Sequence, residues 1–372
     1  MDSDKKRFFS AVSILVGTCI GAGVLGIPYV AAQVGFFVAL AYIMLIGLLV
    51  FTINLYFGEV ILRTKGDHQI AGYAGKYLGR KGKIIIEFAT VFGIYSAIVA
   101  YMFGVGESLN FLFFSNSDYS IYFGVLFGIG MSGLLWRGLK VLKKFEKIGV
   151  SIILILLIFI FFVFIKDVNF SNLYYMNTGN IFLPFGVILF ALMSFHSIPE
   201  LQIVLHKNER LMKKVLISGT LISIVFYALF AFIVVGIKGF DTPEIATLAL
   251  GSTFVLLGIF TMFTSYLSLG NALQENLMYD ERFRKKEAWF FTSIIPILIF
   301  LFIKSFSFFS FISILSIGGI VSGGLIALLI LLMVKKAKEK GNRKPEYSIP
   351  ANWFILGILS LIFIFGIFAE IF

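Results

Sequence analysis

Gly17-Thr18-Cys19-Ile20-Gly21-Ala22-Gly23-Val24-Leu25-Gly26-Ile27-Pro28 lies inside an apolar segment, residues 8–34, that is long enough to cross a lipid bilayer. Glycine weakens a helix interior by about 1 kcal/mol and proline by about 3 kcal/mol, so this stretch predicts an interrupted helix. In hydrocarbon, each backbone group released from a helix costs several kcal/mol unless another group binds it. We therefore expect a break around Gly21 to Gly23, whose free amides and carbonyls bind a small charged ligand at mid-membrane.

The composition indicates an integral membrane protein. Of the 372 residues, 59% are hydrophobic and 14% are charged, against roughly 45–50% and 25% in soluble domains. The single cysteine, Cys19, excludes an internal disulfide and a cysteine-rich metal site. The net charge of +11 is explained by membrane topology and anionic lipid headgroups, so we expect the bilayer and no nucleic acid as a partner.

Apolar segments near the length needed to cross a membrane predict eleven spans, which we number in chain order. They lie at 8–34, 36–61, 84–114, 121–136, 148–165, 181–205, 215–235, 251–279, 289–303, 306–334 and 353–372. Only Lys304 separates the ninth span from the tenth, so a single merged re-entrant helix is the alternative there. We expect one transmembrane domain with no soluble domain attached.

The charge distribution predicts the orientation. If the N-terminus is cytoplasmic, 28 of the 31 Lys and Arg residues fall in cytoplasmic segments. The other three are Lys166, Lys238 and Lys304. Cytoplasmic loops carry such an excess of positive charge, so we expect a plasma-membrane protein with an extracytoplasmic C-terminus.

A second interruption is predicted in the sixth span. Pro184 opens it, and residues 191–200 bring two serines, a histidine, a proline and a glutamate to membrane depth, where polar groups face a cavity or the bundle interior. Spans one to five cover about 8–166 and spans six to ten about 181–334. Because five is odd, the second set enters from the opposite side. This pattern predicts a five-plus-five inverted repeat with a binding site at its two broken helices, and an eleventh helix at about 353–372 outside it.

The stretch 17–28, the following Tyr29-Val30-Ala31-Ala32-Gln33-Val34-Gly35-Phe36, and Ser194-Phe195-His196-Ser197-Ile198-Pro199 carry a family resemblance. They resemble the amino acid/auxin permease family, whose relatives include the bacterial hydroxy/aromatic amino acid permeases and the sodium-coupled neutral amino acid transporters. The resemblance implies the amino acid–polyamine–organocation superfamily and an all-α leucine-transporter fold with broken helices 1 and 6. Family members usually have eleven helices.

The break in the first span suits a zwitterion. A substrate carboxylate fits the N-terminus of the second half-helix, where Thr18 and the amides of Ala22 and Gly23 are the main candidates. The ammonium group fits the carbonyls around Cys19, Phe190 and Ala191. The remaining candidate substrate residues are Gly21, Ser194, Phe195 and Tyr101, and Tyr95 is a further candidate for the pocket wall. The alternative is that the glycines only allow close helix packing.

Polar residues form a stripe on the eighth span, and the resemblance gives it a role. Hard cations bind several carbonyl and hydroxyl oxygens. The family fold implies a sodium site between the carbonyls of Gly17 and Ile20 and the side chains of Thr261, Thr264 and Ser265. Hydroxyls of this kind also bond their own helix carbonyls, which is the alternative.

Proton coupling is the other option. His196, Glu107 and Glu200 are the ionisable groups within the predicted spans that could carry a proton. In proton-coupled members of the superfamily a lysine on the fifth helix can replace sodium, and here that helix has no interior lysine, which favours sodium.

These observations predict a monomeric secondary active transporter that imports a neutral L-amino acid, aromatic ones among the candidates, by Na⁺ symport and alternating access, with H⁺ symport as the alternative. A pocket without a dedicated charged residue favours neutral substrates. An ion channel would need a filter of repeated carbonyls or charge rings. An intramembrane enzyme would need a catalytic set, and we find no such motif.

Overall fold

The computed structural model describes residues 2–21, 23–114, 119–137, 155, 158–279 and 281–371. Over these residues the chain is helical and has no β-strand. The helices are α1 Asp2–Cys19, α2 Gly23–Val34, α3 Phe36–Leu62, α4 Ile70–Phe113, α5 Ser120–Arg137, α6 Pro184–Leu192, α7 Ile198–Val204, α8 Met212–Lys238, α9 Ser252–Tyr279, α10 Lys285–Phe306, α11 Phe311–Gly318, α12 Leu325–Lys340 and α13 Trp353–Ile371. A π-helical segment, Gly319–Gly324, joins α11 to α12.

The helix lengths fit a multi-pass membrane protein. Eight described helical segments are long and apolar enough to cross a membrane, where residues 184–204 (α6 and α7) count as one segment and residues 311–340 (α11 and α12) as another. There are nine if the bent pair α1–α2 also counts as one span. The shorter apolar helix α13 corresponds to the predicted eleventh span. Half of the fifth predicted span, 148–165, lies outside the described residues. The ninth and tenth spans are separate helices, because Ser307 after α10 adopts a left-handed conformation (φ 52°) and ends it. The merged alternative is therefore wrong.

The first span is broken where the sequence predicts it. α1 ends at Cys19, α2 begins at Gly23, and the two helices are bent by 53°. In between, the Gly21 amide donates to the Cys19 carbonyl oxygen at 2.9 Å. That carbonyl lies two residues back, whereas an α-helix bonds four residues back. Pro28 lies inside α2, so it does not make the break. The break is formed by the short link between Cys19 and Gly23, which contains Gly21.

The second break uses different residues. α6 ends at Leu192, Met193 is extended (φ −66°, ψ 112°), and a 3₁₀ turn over Phe195–Ser197 leads into α7. Pro199 sits in the first turn of α7, where its missing N–H leaves no helix hydrogen bond unmade. The predicted interruption at 191–200 is thus a helix end at 192 and a new start at 198.

The two broken spans pack directly on each other. A Cβ built on Gly23, the first residue of α2, would lie 2.4 Å from the Ala191 Cβ in the last turn of α6. One on Gly26 would lie 2.8 Å from a Leu315 methyl group and 3.2 Å from one of Val187. Glycine is required at both positions because the neighbouring helix occupies the space of a side chain.

The connections lie on two faces of the bundle. We call the face that holds the N-terminus the N-terminal face, and its contacts join Asp4 to Arg210 (3.1 Å), Lys83 to Glu281 (3.1 Å) and Glu59 to Lys338 (2.6 Å). On the opposite face, the Asn177 amide bonds the Val34 carbonyl at 3.0 Å and the Asn169 amide bonds that of Gly236 at 2.9 Å. The described connections therefore alternate between two faces, as a multi-span topology requires.

Candidate functional site

A cavity lies between the two broken spans, and we call it the central cavity. Its lining comes from α1, the link after it, α2, α4, α6, the second break and α9, namely Thr18, Cys19, Gly21, Gly23, Gly93, Ile94, Ala97, Tyr101, Phe190, Met193, His196 and Leu269. Its volume is about 30 Å³, which leaves room for roughly two waters. A ligand of amino acid size therefore requires the walls to move apart.

Six of the ten predicted substrate residues line this cavity: Thr18, Cys19, Gly21, Gly23, Phe190 and Tyr101. Ala191 lies behind them against Gly23, and Ala22 lies outside the described residues. Ser194 and Phe195 are fully buried and are not part of the lining. The candidate Tyr95 points elsewhere, because its hydroxyl donates to the Phe291 carbonyl of α10 at 2.7 Å.

The tip of Tyr101 covers the link between α1 and α2. A Cβ built on Gly21 would lie 2.6 Å from the Tyr101 hydroxyl oxygen and 3.4 Å from the Ser265 hydroxyl oxygen. The backbone of Gly21 is thus approached by polar groups from α4 and α9 at once. A glycine here lets such groups, or a ligand, reach the peptide backbone.

The contacts of Thr18 and Gly23 within the protein need no ligand to explain them. The Thr18 hydroxyl donates to the Ile14 carbonyl at 2.9 Å, one turn back in α1. Gly23 is explained by close packing on Ala191 without any ligand. The packing alternative therefore accounts for Gly23, while Gly21 lines the cavity and contacts only side-chain tips.

Tyr227 on α8 links the ends of both broken spans, and the sequence analysis missed it. Its hydroxyl lies 2.5 Å from the Cys19 carbonyl oxygen at the end of α1 and 2.9 Å from the Ala191 carbonyl oxygen in the last turn of α6. The side chain is fully buried. These are the carbonyls that the sequence analysis assigned to the substrate ammonium. The negative ends of two helix dipoles meet at this hydroxyl.

Asn54 on α3 makes a second link. Its side-chain amide donates to the Ser194 hydroxyl at 2.9 Å and to the Thr220 hydroxyl of α8 at 3.3 Å. The Ser197 hydroxyl donates to the Ser194 carbonyl at 2.9 Å. Ser194 therefore links α3 to the second break, and its predicted contact with substrate stays a prediction.

The predicted sodium ligands are only partly brought together. The Ser265 hydroxyl lies 3.5 Å from the Ile20 carbonyl oxygen, a distance at the limit of a hydrogen bond. The Thr261 and Thr264 hydroxyls donate to the carbonyls of Gly258 and Thr261 in their own helix, at 2.8 and 2.9 Å. Gly17 lies in α1, half-buried. A donating hydroxyl keeps its lone pairs, so these oxygens remain able to bind a cation.

The three proton candidates are far from equivalent. His196 lines the central cavity, and its buried Nε2 has no hydrogen-bond partner among the described residues. Glu107 is paired with Lys304 at 2.5 Å in a different cavity. Glu200 lies in the first turn of α7 and is not part of the central lining.

Known proteins resemble this chain over most of its length. The model of the tryptophan/tyrosine permease family matches residues 4–246. Glutamine transporter 2 of Aliivibrio fischeri is 23% identical over 362 residues, 92% of each chain. Tyrosine-specific transport system 1 of Haemophilus influenzae is 25% identical over 221 residues, 58% of this chain and 54% of that protein. All of these are permeases or transporters, so the expectation that the chain is not an enzyme is confirmed.

Proposed function

We propose, since the chain belongs to the tryptophan/tyrosine permease family, that it is a secondary active transporter that imports a neutral L-amino acid, aromatic ones included, by Na⁺ symport. The observation that carries the proposal is the central cavity, which both broken spans border. The wider assignment to the amino acid–polyamine–organocation superfamily, with a leucine-transporter fold and a five-plus-five inverted repeat, is part of the same proposal. So is a plasma-membrane orientation with the N-terminus in the cytoplasm.

The substrate binds through its backbone. Its carboxylate is placed near the N-terminus of α2, where free amides and the positive end of the helix dipole favour an anion. Its ammonium is placed near the carbonyl ends of α1 and α6, represented by Cys19 and Ala191. A carbonyl oxygen has two lone pairs, so the Ala191 carbonyl can accept from the ammonium while Tyr227 bonds it. The Cys19 carbonyl already accepts from the Gly21 amide and from Tyr227, so it takes the ammonium in place of one of them.

The side chain of the substrate is neutral. Over the part of the chain that the structure describes, the lining of the central cavity includes no Asp, Glu, Lys or Arg, and an unpaired charge in that place would cost several kcal/mol. Tyr101 and Phe190 supply aromatic surface, which suits the tyrosine specificity named for the Haemophilus influenzae relative.

Transport proceeds by movement of spans one, two, six and seven against the rest, which gives alternating access. Two hydrogen-bonded links support this division. Tyr227 joins the first, sixth and seventh spans, and Asn54 joins the second, sixth and seventh. Both links lie within the moving group, so it can shift as one body.

Sodium binds at the boundary between this moving group of spans and the rest of the protein. Hard cations bind oxygen at roughly 2.3–2.6 Å, so two ligands at right angles lie roughly 3.3–3.7 Å apart. The separation of 3.5 Å between the Ile20 carbonyl and the Ser265 hydroxyl fits this spacing. An ion there, completed by Gly17, Thr261 and Thr264, joins the first span to the eighth and favours the closed arrangement.

Proton symport is the second candidate, and one observation favours it. The His196 Nε2 beside the central cavity has no partner among the described residues. Imidazole is the side chain that titrates nearest to neutral pH. A proton exchanged at His196 would then replace sodium as the coupling ion.

The test uses purified protein in proteoliposomes with labelled L-tyrosine, L-tryptophan and L-glutamine. We expect uptake driven by an inward sodium gradient and little uptake from a proton gradient alone. Substituting Thr264→Ala and Ser265→Ala together should raise the sodium concentration for half-maximal uptake by about tenfold, as expected for lost ion ligands. Uptake driven only by protons and abolished by His196→Gln would assign the coupling to His196. No uptake of any amino acid under either gradient would contradict the proposed function.

A further inference from the structure

A second, larger cavity opens near the face opposite the N-terminus, and we call it the Lys304 cavity. Its volume is about 440 Å³, against about 30 Å³ for the central cavity. It lies between the end of α4, the end of α10, the start of α11 and the connection at 243–248. It has room for a whole amino acid without any movement of its walls.

The cavity brings one ammonium and two carboxylates together. The Lys304 ammonium lies 2.5 Å from a Glu107 carboxylate oxygen and 5.1 Å from the centre of the Phe103 ring. The Glu244 carboxylate accepts a hydrogen bond from the Ile312 amide at 3.3 Å. The Lys304 and Glu107 side chains are about one quarter exposed, at 25% and 28%, so a ligand in the cavity can reach them.

The rest of the lining is largely apolar. Phe103, Phe309, Phe311, Ile245 and Leu248 form it, and Phe309 is 45% exposed. An exposed ring beside an ion pair offers a surface on which an apolar or aromatic group can pack. The site therefore combines charges of both signs with an apolar wall.

We infer that the Lys304 cavity binds a zwitterionic amino acid with an apolar or aromatic side chain, before that molecule reaches the central cavity. The ligand carboxylate pairs with Lys304, its ammonium pairs with Glu107 and Glu244, and its side chain packs on the phenylalanines. A ligand with only negative charge would be repelled by the two carboxylates, and a ligand with only positive charge would be repelled by Lys304. A zwitterion satisfies both signs, because the Glu107–Lys304 pair opens and each partner takes the opposite charge of the ligand.

The inference rests on the proposed function for the choice of ligand, and a labelling experiment separates the two. Ser307 is exposed and lines the Lys304 cavity, so Ser307→Cys should react with a membrane-impermeant maleimide. The native Cys19 is buried and should react little. Added L-tyrosine should slow the labelling of the Ser307→Cys protein in proteoliposomes.

The matched control is Thr178→Cys, which is exposed on the same face and does not line the cavity. Its labelling should not respond to L-tyrosine. Adding Lys304→Met to Ser307→Cys should raise the half-protecting L-tyrosine concentration about 10- to 100-fold, the loss expected for a hydrogen bond between charged groups. Lys304→Arg should keep the protection, and tyramine, which lacks the carboxylate, should protect poorly.

Two further results test whether the Lys304 cavity is a binding site separate from the central cavity. Protection that survives in a Gly23→Leu background, where we expect no uptake, supports a separate site; loss of protection there would mean that the central cavity causes it and would overturn the inference. Equal protection of the Lys304→Met protein would also overturn it. If the protein takes up L-tyrosine but Ser307→Cys is never protected, the inference fails while the proposed function stands.

Discussion

The two helix breaks are built from different kinds of residue. The first, between Cys19 and Gly23, relies on glycine, so that the Tyr101 tip approaches bare backbone at Gly21. The second, between Leu192 and Ile198, contains Ser194 and Ser197, whose hydroxyls are bonded within the protein. The first break therefore exposes peptide groups, whereas the second is held in place by side chains.

The largest effect should come from filling the first break. Gly23→Leu places a side chain where the Ala191 Cβ lies 2.4 Å from the built Cβ, so the two half-helices must separate. We expect uptake to fall to background while the protein still inserts in the membrane. Gly130→Leu is the matched control, because nothing lies within 4 Å of a Cβ built there. Normal uptake by the Gly23→Leu protein would show that the junction tolerates displacement and would contradict the site.

A smaller effect should come from the residue that joins the two breaks. Tyr227→Phe removes the hydroxyl that bonds the Cys19 and Ala191 carbonyls, and an unsatisfied buried acceptor costs roughly 1–3 kcal/mol. We expect kcat/KM for uptake to fall about 10- to 100-fold. Tyr122→Phe, at a side chain that is 69% exposed, should have no effect. An unchanged kcat/KM would mean that the two helix ends hold their positions without Tyr227.

The smallest effect should come from the second break. Ser194→Ala removes the acceptor for the Asn54 amide, a hydrogen bond worth about 1 kcal/mol, so uptake should fall about fivefold. In a double-mutant cycle with Asn54→Ala, the two changes should not add, because they remove the same link. Thr52→Ala is the control, since that hydroxyl bonds its own helix at 2.8 Å. A loss as large as that of Gly23→Leu would place Ser194 in the binding site itself.

The sequence predicted both breaks because glycine, proline and buried polar residues have strong local effects on helices. The sequence also predicted that Pro28 helps to break the first span, but Pro28 lies inside the continuous helix α2. Nothing in the sequence indicated that Ser194 bonds Asn54, a partner 140 positions away. The hydrogen-bond partner of a buried side chain depends on which helix packs beside it, and no local sequence pattern specifies that neighbouring helix.

The missed residue illustrates the same limit. Tyr227 is one of 15 tyrosines, and it lies 208 positions from Cys19 in the chain. Its importance comes only from packing that brings α8 against two helix ends. Lys304 was noticed as a charge that interrupts an apolar run, but its pairing with Glu107 required the ends of α4 and α10 to meet.

The contact of Tyr227 with two carbonyls has a consequence for affinity. A phenol has one proton to donate, and two oxygens 2.5 and 2.9 Å away compete for it. The Cys19 carbonyl also accepts from the Gly21 amide at 2.9 Å, so when the hydroxyl donates to Cys19 the Ala191 carbonyl is short of a donor. An arriving ammonium brings three donors, so we expect part of its binding strength to come from ending that shortage.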